Sequence, residues 1–119
     1  MKIRLVLLAA VFGLLGSYSQ AEMTGSEVID LSAKSVVASG QGYKVEMCAE
    51  TDNDDELLEC VRLASNFSRE EDYLKVQEGL SLSGFVAISY SNDVGDCKHE
   101  VIVDANEKRV FASFPWVCK

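Results

Sequence analysis

Residues 97–118 read CKHEVIVD, ANEK, RVFASF and PWVC in succession. In the first of these, His99, Val101 and Val103 fall on one side, and Lys98, Glu100, Ile102 and Asp104 on the other. That is the period of two expected of a strand with one buried face. Ala105–Lys108 is a polar turn, and Arg109–Phe114 returns as a second strand. An unbroken hairpin about this turn pairs Asp104 with Arg109 and, counting outward, Cys97 with Trp116. Cys118 is then two residues from Cys97's partner, which favours a Cys97–Cys118 clamp among the three connectivities that four cysteines permit. Pro115 has no N–H to donate and suits a strand end or an edge.

The pattern extends upstream. Phe85–Tyr90 is apolar on both sides and reads as a central strand, followed by a loop of turn formers over Ser91–Asp96. Tyr43–Glu50 alternates again, with Tyr43, Val45, Met47 and Ala49 on one side, and predicts another strand. The acidic run that follows ends it. Asn53 can cap a helix and Glu56 complete a capping box. Leu57, Cys60, Val61, Ala64 and Phe67 then recur at helical spacing, predicting a helix from about Asp54 to Phe67. Cys60 lies on its apolar stripe, within reach of the preceding strand, which favours a Cys48–Cys60 bridge. Strict alternation nevertheless sets Cys48 on the charged side, so either a bulge re-aims it or the pairing differs. Tyr73–Val76 reads as a short strand, and residues 22–42 as a short helix with a turn at Gly40–Gly42. The fold expected is α+β, with one main helix on a four- to five-stranded antiparallel sheet and two disulfides.

The chain has 119 residues, with room for one domain. Residues 1–21 carry a basic start, an apolar run over Leu5–Leu15 and small residues at Ser19 and Ala21, as in a cleavable secretory signal. The run is too short to span a bilayer. Residues 22–119 are then a single exported domain, expected in the periplasm or outside the cell and not inserted in a membrane. All four cysteines, Cys48, Cys60, Cys97 and Cys118, fall in it, and an even count in a short exported chain indicates disulfides. Without Lys2 and Arg4, nine basic residues of the chain's 11 face 19 acidic ones, a net charge of −10. Such a surface repels nucleic acid and anionic lipid, and attracts a basic protein.

Little in the sequence points to catalysis or a metal. Asp52, Asp54 and Glu56 alternate as in an EF-hand loop, but Leu57 and Leu63 occupy the places of the obligatory Gly and Glu. Acids at a helix start are accounted for by the helix dipole. His99, the single histidine, lies on an apolar strand face without an evident nucleophile beside it. No cofactor and no catalytic residue is assigned. Asn66-Phe67-Ser68 matches a glycosylation acceptor, but Phe67 is needed in the core.

Two short strings resemble known families. Ser39-Gly40-Gln41-Gly42-Tyr43 resembles the S-G-x-x-Y motif of bacterial periplasmic lysozyme inhibitors, whose loop plugs the enzyme's cleft. The resemblance implies that Ser39 and Tyr43 insert, with Gly40 allowing close approach. His99–Asp104 with Arg109-Val110 resembles the terminal hairpin of PepSY-like domains, exported α+β modules linked to peptidase inhibition or envelope binding. Trp116, beside Phe111 and Phe114, is a further candidate contact. The function expected is non-catalytic binding, in its sharpest form inhibition of, or immunity to, a basic enzyme such as lysozyme. The alternatives are a PepSY-like envelope accessory protein and a small hydrolase using paired carboxylates.

Overall fold

A computed structural model describes residues 22–118. The signal sequence read over residues 1–21 lies outside the described residues. Three helices pack on a four-stranded antiparallel sheet, and both disulfides, Cys48–Cys60 and Cys97–Cys118, are formed. The architecture is the α+β one expected, with three helices in place of one main helix.

The longest helix among the described residues, α1 (Gly25–Ala38, 14 residues), lies in the stretch read only as a short helix. Thr24 and Glu27 start it with a reciprocal capping box: Thr24 Oγ1 accepts from Glu27 N–H at 3.1 Å, and Glu27 Oε1 from Thr24 N–H at 2.8 Å. Val28, Ser32, Ala33 and Val36 form its buried stripe. The second helix, α2 (Asp54–Leu63), starts on the predicted Asn53 cap. It stops short of Phe67 because Asn66–Phe67 leaves as β1, a two-residue strand paired with Ser89 and Ile88. The Tyr73–Val76 stretch is not a strand but the middle of α3 (Glu70–Gln77). Glu70, Glu71 and Asp72 fill its first turn, where the helix dipole favours acids. Asp72 is buried against the Arg69 guanidinium, which also donates to the Phe85 carbonyl.

The sheet runs in chain order: β1, then β2 (Phe85–Ser91), β3 (Cys97–Asp104) and β4 (Arg109–Cys118). Val86, Ile88, Tyr90, His99, Val101 and Val103 make the buried inner face. β2 is central in the sheet, as expected, but only alternate residues are buried: Phe85 is exposed, and Ala87, Ser89 and Ser91 on the same side are half-buried. Tyr90 anchors the helices to the sheet, its hydroxyl hydrogen-bonded to Ser32 of α1 and to Ser65, just past α2. A surface ion pair joins the two helices on the outside, Arg62 to Asp30 at 2.7 Å. Lys34 and Arg62 hold the Asp30 carboxyl below its usual range.

The predicted strand over Tyr43–Glu50 is not formed. Gly42–Lys44 is a 3-10 turn, Val45 makes an isolated bridge to Asn92, and the chain then turns away. Val45 and Cys48 are both fully buried, a spacing of three that no strand allows. Met47 between them has φ +67°, and this left-handed turn re-aims Cys48 toward Cys60. The conflict over Cys48 is thus resolved by a turn, without a bulge.

Candidate functional site

The segment from Ser39 to Met47 and the loop after β2 meet at one end of the sheet. Ser39 and Gly40 stop α1. Gly40 N–H bonds the Val37 carbonyl and Gln41 N–H that of Val36, with Gly40 at φ +78°, the geometry of a Schellman stop. Ser39 Oγ donates to the Val36 carbonyl at 2.8 Å. The serine and first glycine of the S-G-x-x-Y string therefore have a local task. Gly42 is buried against Leu57, and Tyr43 projects with 45% of its surface exposed.

Beyond Val45 the two loops are tied together. Glu46 N–H donates to the Ser91 carbonyl at 2.8 Å, and Met47 N–H to Asp93 Oδ1 at 2.7 Å. A bulky residue at positive φ is uncommon and needs such a brace. The brace leaves the Met47 side chain 85% exposed, and Val94 on the facing loop is 76% exposed. The same two segments carry the exposed acidic residues Glu46, Glu50, Asp93 and Asp96, with those of Asp52–Glu59 following in sequence. Exposed apolar and acidic side chains thus stand beside each other along both segments.

A hollow of about 370 Å³ adjoins the tips, lined by Lys44, Asn92, Asp93, Val94, Trp116 and the Cys97–Cys118 bridge. That volume is at the lower end of the range for small-molecule pockets and is open enough to take a partner's side chain. Of the sequence candidates only Trp116 lines this hollow; Ser39, Gly40 and Tyr43 are not among its lining residues, although Lys44, next to Tyr43 in the chain, is. Trp116 is half-buried, its ring edge-on to His99 with centroids 5.5 Å apart, and its Nε1 is buried without a hydrogen-bond partner among the described residues.

The site residues sequence reasoning missed are Met47 and Val94. Met47 was assigned to the inner side of a strand, so its display was hidden. Val94 alone among turn formers was the available signal.

His99 is the buried imidazole of the inner face, and burial lowers its pKa. Its Nε2 is 2.9 Å from Ser113 Oγ, a neighbour not evident in the sequence, while Nδ1 is buried without a hydrogen-bond partner among the described residues. A base thus stands beside a hydroxyl, and among the described residues no carboxylate is hydrogen-bonded to the ring. Among the described residues no group of three or more His, Cys, Asp or Glu could hold a metal ion. At the acidic run, Asn53 Oδ1 caps the Glu56 N–H and Glu56 Oε1 accepts from Asp52 N–H, so these side chains serve the helix start.

Among the described residues no helix is long and apolar enough to cross a membrane, and the two disulfides are compatible with an extracellular compartment. Comparison with protein-family models, curated proteins and solved structures finds no match for this chain.

Proposed function

We propose that the protein is an exported, non-catalytic binding protein whose acidic pole docks a basic protein, with inhibition of a basic enzyme such as lysozyme as its sharpest form. The reading places it in the periplasm or outside the cell after removal of residues 1–21. The observation that carries it is Met47, held exposed in a left-handed turn by Asp93, with Val94 exposed on the facing loop and acidic residues beside both in the chain. Opposite charge steers a basic partner to the pole, and apolar tips supply the desolvated contact that charge alone does not. Trp116, a wall of the hollow, and the exposed Tyr43, on the segment that leads to Met47, are the aromatic contacts this reading assigns.

The test is titration of purified basic lysozymes, and of a basic protein without a sugar-binding cleft, against the protein at low and moderate salt. Saturable binding to a lysozyme, weakened at least about tenfold by Met47→Asp and by Tyr43→Ala, is the expected result. Equal, salt-sensitive binding of every basic protein that ignores both substitutions would reduce the pole to a charged surface. No binding at low salt, where steering is strongest, would favour the accessory-protein reading.

A further inference from the structure

β4 is the free edge of the sheet, and it is poorly suited to pairing with another strand. Its register against β3 shifts twice, and Pro115 lies in the second shift. Bulges and proline on an edge are devices against strand addition. The face turned away from the helices has no such protection. Phe85, Phe111, Phe114 and Val117 are each at least half exposed on it, with the Phe85 and Phe111 rings 4.7 Å apart. A second hollow of about 370 Å³ lies between Phe114, Val117, Ser89, Lys98 and Glu100.

Charge decides what can cover this face. Two copies of so acidic a chain repel across most of their surface. Here, however, Lys98 and Arg109 balance Glu100 and Asp104, and the strip is apolar without excess charge. Along β3 the outward residues run Lys98, Glu100, Ile102, Asp104. A twofold axis lying between two such faces and crossing the strands near Val101 reverses that order. It sets Lys98 of each copy against Asp104 of the other, and Glu100 against Ile102. Lys98 has no ion pair in its own chain among the described residues.

We infer that the open face is a self-association surface on which a second copy of this chain stacks sheet to sheet, with strands antiparallel across a twofold axis. The contact is isologous and closes as a dimer, and the bulged β4 edge keeps it from extending into a fibre. This inference is independent of the acidic pole, which lies on the loops at the sheet's end.

Sedimentation equilibrium of the purified, oxidised protein tests it. A monomer–dimer equilibrium is expected, with the dissociation constant raised at least about tenfold by Phe114→Ser. Lys98→Glu, which sets two acids against each other, is expected to weaken the dimer as well. Both side chains are exposed, so circular dichroism of the variants should match that of the parent. If Phe114→Ser does not fold, Lys98→Glu decides alone. A protein that stays monomeric up to about 1 mM would overturn the inference, as would a dimer indifferent to both substitutions.

Discussion

Cys97 stands directly opposite Cys118 across β3 and β4, in the position an unbroken hairpin assigns to Trp116. Two irregularities on β4 make the difference. Val103 pairs with Val110 but Ile102 with Ala112, so Phe111 is an extra residue. Glu100 pairs with Phe114 but Lys98 with Val117, so Pro115 and Trp116 together face His99. The second bulge accommodates a residue without an N–H and turns Trp116 inward over His99. Each extra residue advances β4 by one, and together they bring the second thiol into line.

Replacing Cys97 and Cys118 by serine is expected to cost about 2–4 kcal/mol, the usual contribution of one bridge. The sole tryptophan, Trp116, lies two residues from the bond and reports the release of the strand end. Urea denaturation followed by its fluorescence should show a lower midpoint with a red-shifted native signal. An unchanged midpoint would mean that the bulged strand is held by packing alone.

His99 makes stability depend on pH in a definite direction. Burial lowers its folded-state pKa below the ordinary 6.5, so the unfolded chain binds the proton more readily. The stabilisation is complete above pH 6.5 and is lost as pH falls from there toward the folded-state value. Thermal midpoints measured between about pH 7.5 and 5 should therefore fall on acidification. His99→Gln should flatten that slope, and a slope that survives the substitution would assign it to carboxylates instead.

The glycines of the Ser39–Tyr43 string separate by mechanism. A Cβ on Gly42 would lie 2.9 Å from Leu57 Cδ2, in the core, so Gly42→Ala is expected to cost about 1–3 kcal/mol by overpacking. A Cβ on Gly40 meets nothing within 4 Å, but φ is +78°, so Gly40→Ala should cost about 1–2 kcal/mol through backbone strain alone. Asn in place of Gly40, which tolerates that conformation, should recover part of the loss, whereas Asn at Gly42 should be worse than Ala. Equal behaviour at the two positions in denaturation would contradict this division.

Local pattern carried much of the fold. The alternation of His99, Val101 and Val103 names the buried face of β3, and Asn53 marks the start of α2. The helix over Gly25–Ala38 was legible only as a short one, and the capping-box spacing of Thr24 and Glu27 ahead of Val28 was the signal that could have fixed its start. Phe67 and Tyr73–Val76 were misassigned because short apolar runs suit either a helix or a strand, and tertiary partners choose between them.

The candidate site was less legible than the fold. Tyr43 was named from a motif resemblance and Trp116 from its chemistry, but Met47 owes its exposure to a backbone turn braced by Asp93, 46 residues away in sequence. What the sequence by itself determined are the features set by neighbours along the chain: strand periodicity, helix caps, four paired thiols in an acidic chain. Only the tertiary structure decided the β4 register, the turn at Met47 and the contact between His99 and Ser113. Each of these depends on where distant segments come to rest, and a single-residue bulge or a left-handed turn leaves almost no trace in local composition while redirecting every side chain beyond it.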